Sequence, residues 1–141
     1  MKRAWYEHTQ RAPAAERTVD GVVFDSKSEA RRWAELTLLA RAGEIVELER
    51  QVRYPLVASG RPVKIRSKGF PNGRPCVYTL DFRYFDRRLG KPIFEEWKGH
   101  DDPASRLRRA IIEALYDIEI TVTGPASVNT PPRVVVTVKP L

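Results

Sequence analysis

Tyr78-Thr79-Leu80-Asp81-Phe82-Arg83-Tyr84-Phe85 and, after a short link, Ile93-Phe94-Glu95-Glu96-Trp97-Lys98 form the stretch that decides the fold. Both segments are rich in aromatic and β-branched residues, so each reads as a strand, and the link 86–91 with its Gly90 reads as a turn. Each strand also ends in chemistry. Asp81 sits among aromatics, where a carboxylate has no packing reason to be. Side chains alternate across a strand, so Glu96 and Lys98 share one face and Glu95 points away from them. If the strands pair, Asp81 faces Glu96 and Lys98, and two carboxylates and an ammonium surround one point. Such a point suits a divalent cation and a water.

The chemistry those residue types favour is hydrolysis of a phosphodiester. Mg²⁺, or Mn²⁺ in its place, neutralises the phosphate and lowers the pKa of a bound water. A hard cation of this kind takes oxygen ligands and keeps several waters, so two carboxylates and a backbone carbonyl suffice. Asp81, Glu96 and the Trp97 carbonyl are the expected ligands, and Lys98 supplies positive charge where the transition state develops negative charge. Phe82, Tyr84, Phe94 and Trp97 are expected to occupy the opposite, core-facing side.

Working outward, 18–24 contains two short apolar pieces around Asp20-Gly21, a hairpin signal. Ser26 with Glu29 has capping-box spacing and opens a helix over 27–42, with Gly43 placed as its C-terminal stop. Glu29, Trp33, Leu36 and Ala40 fall on one stripe of that helix. Glu29 therefore has two competing roles: capping acid at the helix start, or a fourth member of the metal site. Residues 45–56 alternate as a half-buried strand, with Val46, Leu48, Val52, Tyr54 and Leu56 inward and Arg50 breaking the apolar side. Gln51, on the polar side, is an accessory site candidate.

The segment 58–75 is punctuated by Gly60, Pro62, Gly69, Pro71, Gly73 and Pro75 around a short strand at 63–65. It carries Arg61, Lys64, Arg66, Lys68 and Arg74, a basic excursion suited to sequence-independent phosphate contacts. Beyond the central pair, Asp102 as N-cap and Pro103 as first helical residue begin a second helix. Leu107, Ala110, Ile111, Ala114 and Leu115 are its expected buried stripe. Arg106, Arg108 and Arg109 lie near its start, where they oppose the helix dipole and where phosphate binding would repay them. His100, in the loop before this helix, is a second candidate base. Segments 118–123 and 133–138 read as further strands.

The full chain of 141 residues has 25 Lys and Arg against 18 Asp and Glu, a net charge of +7. An excess of this size favours a polyanionic partner, nucleic acid first. The single Cys76 excludes an internal disulfide and a multi-cysteine zinc site. No apolar run reaches membrane-spanning length and the first residues lack the apolar centre of a signal peptide, so a cytoplasmic location and no membrane partner are expected. Residues 1–17, with Lys2, Arg3, Arg11 and Arg17, read as a flexible basic arm, and 18–141 as one domain.

These features resemble the PD-(D/E)XK nuclease superfamily, with its restriction-endonuclease-like fold. The resemblance rests on the order helix with Glu29, strand with Asp81, strand with Glu96-Trp97-Lys98, helix, strand, and covers roughly 19–122. Leu80 stands where the motif name has proline, which is not a ligand. Within the superfamily, Phe24-Asp25-Ser26-Lys27-Ser28-Glu29-Ala30, Leu48-Glu49-Arg50-Gln51 and Glu96-Trp97-Lys98-Gly99 look like a group of small phage and prophage proteins related to Holliday junction resolvases and to transposase endonuclease subunits. The resemblance implies an α/β fold, a central mixed β-sheet flanked by helices in the order β-hairpin, helix, antiparallel strands, helix, strands. It also implies dependence on Mg²⁺ or Mn²⁺, branched or duplex DNA as substrate, a homodimer, and a bacterial or phage-infected cell as the setting. Two other classes remain open: a non-catalytic DNA-binding accessory protein on the same fold, and an RNA-directed nuclease or RNA-binding module.

Overall fold

The computed structural model describes residues 12–125. The proposed strand at 133–138 and the first eleven residues of the expected basic arm lie outside them. Where description begins, Ala14–Arg17 form a single 3-10 turn, and the Arg17 side chain donates to the carbonyls of Ala12 and Phe24. The arm therefore ends in a fixed turn.

The opening hairpin pairs β1 (Thr18–Val19) with β2 (Val22–Val23). Its turn residues Asp20 and Gly21 both have positive φ (49° and 78°), the conformation a two-residue hairpin turn demands. Helix α1 (Lys27–Arg41) starts at Ser26, whose hydroxyl accepts the Glu29 N–H at 3.0 Å, and stops before Gly43, at φ 75°. It buries Glu29, Ala30 and Leu36. Ala30 and Leu36 join Phe24, Ile45, Phe82 and Tyr84 in one core cluster, against which the Trp33 ring stacks on Phe82 at 5.9 Å. Removing a large apolar side chain of this kind from water stabilises by about 1.5–3 kcal/mol.

The main sheet has four strands in the order β10 (Ile120–Thr123), β9 (Lys91–Trp97), β8 (Val77–Asp86), β3 (Ile45–Pro55). β3, β8 and β9 are antiparallel to one another in turn, and β10 runs parallel to β9, making the sheet mixed. Parallel pairing needs a crossover, and helix α2 (Pro103–Tyr116) supplies it. Along β8 the residues Tyr78, Leu80, Phe82, Tyr84 and Asp86 are buried and their neighbours less so. That stripe is shared: Phe82 and Tyr84 belong to the cluster under α1, whereas Tyr78 and Leu80 pack with Tyr54, Leu56, Ile112 and Ile120 in a second cluster under α2.

Three expectations change. First, the strand read as starting at Ile45 contains a bulge between Val46 and Glu49, with Glu47 at φ 56°, so one regular alternation does not run its full length. Arg50, the misfit on its apolar side, is exposed with its guanidinium 5.4 Å from the centre of the Phe24 ring. It reaches the core's edge as a cation over an aromatic face. Second, Phe94 does not share a side with Phe82, Tyr84 and Trp97: it packs in the α2 cluster, as the alternation of β9 requires.

Third, the expected buried stripe of α2 is exposed, with Leu107 at 63%, Ile111 at 36% and Leu115 at 45%. The helix instead turns Ser105, Arg109 and Ile112 inward. The reason is electrostatic: Arg109 reaches buried carboxylates on β9 and in the loop before the helix, and this fixes the rotation of α2 about its axis.

The basic segment after β3 is two small hairpins, β4 (Val57–Ala58) with β5 (Arg61–Pro62) and β6 (Lys64–Ser67) with β7 (Phe70–Pro75). Arg61, Lys64, Arg66, Lys68 and Arg74 are all exposed on them.

Candidate functional site

The antiparallel ladder between β8 and β9 stops at Phe82 and Glu95. One residue further on, the Asp81 carboxylate takes over the backbone's role and accepts the Trp97 N–H at 2.7 Å. Here the two strands part, and Asp81, Glu96 and Lys98 gather. The Lys98 ammonium lies 3.5 Å from Glu96 and 3.5 Å from the Ser105 hydroxyl oxygen. The Ser105 hydroxyl donates to Asp102 at 3.2 Å, leaving its oxygen to accept from Lys98. The backbone of Lys98 is fixed as well, by its N–H on the Thr123 carbonyl at 3.0 Å. Gly124 follows at φ 91°, and a Cβ there would meet the Lys98 carbonyl at 2.8 Å and the Trp97 ring at 2.9 Å. Only glycine fits this close approach.

Gln51 joins the same point from β3. Its amide donates to Asp81 at 3.4 Å, and its backbone stands at φ 54°, a left-handed conformation costly for a residue with a Cβ. Glu29 enters from α1 and is 7% exposed. Burial first, then the Asp81 and Asp25 charges, raise its carboxyl to about 7, against the partial opposition of Arg50. Burial first, and then Glu96, raise Asp81 to about 6, although the Trp97 N–H, Lys98 and Gln51 pull the other way. Asp81 and Glu29 are thus carboxylates brought together and desolvated with too little positive charge between them.

Stability should respond to pH accordingly. A carboxyl whose folded pKa is raised binds its proton more tightly folded than unfolded, so stability is full below the unfolded pKa and falls as pH rises. In chelator, the protein should lose thermal stability between about pH 4 and pH 7, the window set by Asp81 (3.8 to about 6) and Glu29 (4.5 to about 7). The double variant D81N/E29Q should flatten that slope in a melting series. An equally steep slope in the variant would show that other groups produce it.

The adjacent glutamates are both buried, Glu95 at 2% and Glu96 at 5%, and each answers to one helix. Glu95 receives a two-pronged contact from Arg32 of α1, 2.8 Å to each oxygen, and the Tyr84 hydroxyl at 3.1 Å. Glu96 accepts from Arg109 of α2 at 2.7 Å, and Arg109 also donates to Asp101 at 3.1 and 2.6 Å. The register choice drawn from strand alternation is therefore matched by where the two side chains go: Glu96 lies with Lys98, and Glu95 is spent on Arg32 and Tyr84.

Of the basic residues assigned to phosphate, Arg106 and Arg108 are exposed, whereas Arg109 is 6% exposed and engaged by Glu96 and Asp101. Its place is inside the site's scaffold. His100 is exposed in the loop before α2. Sequence reading passed over Arg32, Asp101, Ser105 and Tyr78. Arg32 was findable, since it stands three residues after Glu29 and shares its side of the helix. Tyr78 is buried beside Glu96; burial, then that charge, raises its pKa, so the phenol stays protonated.

Oxygen donors alone make up the acidic set, which fits a hard cation. The fit is partial: among the described residues no three His, Cys, Asp or Glu converge closely enough to hold a metal. Asp81 and Glu96 would hold one from two sides, with Glu29 behind them.

Compared with known sequences, the chain belongs to a family described as protein of unknown function (DUF1064), which matches residues 10–124. No curated protein and no solved structure matches it.

Proposed function

We propose that this member of the DUF1064 family is a divalent-metal-dependent DNA endonuclease with a restriction-endonuclease-like fold, hydrolysing phosphodiester bonds in branched or junction DNA. The observation that carries the proposal is the parting of β8 and β9 at Asp81, which sets a desolvated carboxylate beside Glu96 and a lysine held by both its backbone and its ammonium. A bound Mg²⁺ would supply Lewis acidity to the phosphate and an activated water. Asp81 and Glu96 would hold it, Lys98 would meet the developing negative charge, and Gln51 orients Asp81. The mixed sheet, with a helix before and a helix after its central strands, supports this reading, since the resemblance to the PD-(D/E)XK superfamily implies that order.

Purified protein incubated with Mg²⁺ or Mn²⁺ and with four-way junctions, flaps, single strands and duplexes should cut at least one of them. A protein that cuts none under either ion would sink the proposal. One observation favours a second reading, a DNA-binding accessory protein: Glu96 is already neutralised by Arg109. That reading expects binding without cleavage and no change in affinity on removing Asp81.

On this reading the hairpin β6–β7, whose Lys64, Arg66 and Lys68 are exposed, is the expected contact to the DNA backbone. Each phosphate contact released contributes about 0.9 to the slope of log affinity against log salt for duplex DNA. K64A/R66A/K68A should therefore flatten that slope by about 3 in anisotropy titrations at several salt concentrations. An unchanged slope would place the DNA elsewhere.

A further inference from the structure

A cavity of about 470 Å³ opens between the β6–β7 hairpin and the main sheet, where β3 ends and β8 begins. That volume lies within the usual range for a small-ligand site. Arg53 and Thr79 contribute from the sheet, and Ile65, Ser67, Phe70 and Arg74 form the hairpin wall. The register explains why these four share a wall. Arg74 stands opposite Ile65 and Phe70 opposite Ser67, and Phe70 and Arg74 are an even number of residues apart on β7, so the hairpin turns one face to the cavity.

The wall combines two kinds of group. Phe70 is 48% exposed and Ile65 59%, and neither belongs to a core cluster, so their apolar surface contributes little to the fold. The Arg74 guanidinium lies 5.4 Å from the centre of the Phe70 ring. Arg53 and Arg74 are the charged residues among those lining the cavity, and no carboxylate lines it. A flat π surface beside two cations matches a nucleotide, whose base stacks on an aromatic ring or a guanidinium plane while its phosphate meets an arginine. An apolar peptide would leave the arginines unmatched, and a lone phosphate would leave the ring unused.

Position ties the cavity to the candidate site. Arg53 is the partner of Thr79 across β3 and β8, and Thr79 and Asp81 lie on one face of β8 because alternate residues do. Two residues along a strand span about 7 Å, so a DNA strand with a phosphodiester at Asp81 brings a neighbouring nucleotide over Arg53 and Phe70. We propose that the cavity holds one unpaired nucleotide of a DNA strand, with its base against Phe70 and Arg74 and its phosphate on Arg53. The base must be unpaired, because in a duplex its faces are already stacked. The role beside the cut rests on the nuclease reading, but the binding itself requires neither metal nor cleavage.

The test is fluorescence anisotropy of the full chain in chelator with three labelled probes: an oligothymidylate of about ten nucleotides, an abasic strand of the same length, and a blunt duplex. F70A should weaken binding of the oligothymidylate by about five- to a hundredfold, the range for one stacked base, and leave the abasic strand and the duplex unchanged. F70W should bind the oligothymidylate at least as tightly as wild type. R53Q should lower the salt slope on that strand by about 0.7, one phosphate contact, whereas F70A should leave the slope as it is.

A wild type that binds no single strand, or an F70A variant that binds the oligothymidylate like wild type, would overturn the proposal. Equal losses on the oligothymidylate and on the abasic strand or the duplex would overturn it too, because Phe70 would then act through the shape of the hairpin and not through a base. The same holds for F70W binding as weakly as F70A, or for an unchanged slope in R53Q. Because every arm is metal-free, a chain that binds as expected yet cuts nothing in Mg²⁺ would refute the nuclease reading alone. A chain that cuts, with F70A binding like wild type, would refute this proposal alone.

Discussion

Replacing Asp81 by Asn is expected to lower metal-dependent cleavage by about 10³-fold, the scale of losing one principal electrostatic group of a catalytic site. The loss should be chemical and not structural. The substituted amide would keep an oxygen able to accept the Trp97 N–H, which Asp81 now takes at 2.7 Å. It removes a carboxylate that burial and Glu96 raise to about 6, so above that pH the folded protein no longer holds a desolvated charge. In chelator at neutral pH the variant should therefore melt higher than wild type. Lower activity combined with higher stability is the signature of a group kept for function at a cost to the fold. An Asp81→Asn variant that cuts at the wild-type rate would remove Asp81 from the chemistry; one that melts lower would make Asp81 a structural residue.

The second large effect concerns the scaffold. Arg32→Ala is expected to destabilise by about 3–5 kcal/mol in denaturant unfolding, because it leaves a buried carboxylate without its partner. Glu95 is 2% exposed and takes both of its charged hydrogen bonds from Arg32, with Tyr84 as a further donor. A loss of that size is a large share of the roughly 5–15 kcal/mol typical of a whole domain. The pair as a unit is worth far less than its breaking costs, so R32M/E95M should recover most of the loss. A change below about 1 kcal/mol for Arg32→Ala would show that water reaches Glu95 and that the pair behaves as an exposed one.

Much of this arrangement was legible in the chain. The central hairpin could be read because 78–85 and 93–98 are rich in aromatic and β-branched residues around a turn, and strand alternation placed Glu96 and Lys98 together. Both helix starts were legible because Ser26 and Asp102 are capping residues at standard spacing, and both caps are present. Periodicity failed at α2 because it weighs only apolar residues. Leu107, Ile111 and Leu115 make the better stripe on paper, yet the buried positions are Ser105, Arg109 and Ile112. What turns the helix is the attraction of Arg109 to Glu96 and Asp101, and a long-range ion pair leaves no trace in a local hydrophobic pattern. The bulge at Val46 to Glu49 was hidden for a related reason: an extra residue on one strand is defined only against its partner. Gln51 lay between these cases. Its residue type was noticed, but its positive φ and its contact with Asp81 needed the pairing of β3 with β8.

The wider sheet arrangement, mixed and flanked by two helices, agrees with the α/β order read from the sequence. Among the described residues no helix is long and apolar enough to cross a membrane. The buried ion pairs on Glu95 and Glu96 give the site its stiffness: each glutamate is held by the helix on its own side, and β9 is clamped between them.

The central claim is that Asp81 and Glu96 jointly hold a divalent cation. The most direct measurement is a crystal structure of the protein grown or soaked in Mn²⁺, with anomalous diffraction recorded for manganese. The account predicts an anomalous peak at coordination distance, roughly 2.0–2.2 Å, from one oxygen each of Asp81 and Glu96, with waters completing the shell. A map without such a peak at saturating Mn²⁺, with Glu96 still bound to Arg109 and Asp81 still on the Trp97 N–H, would contradict it.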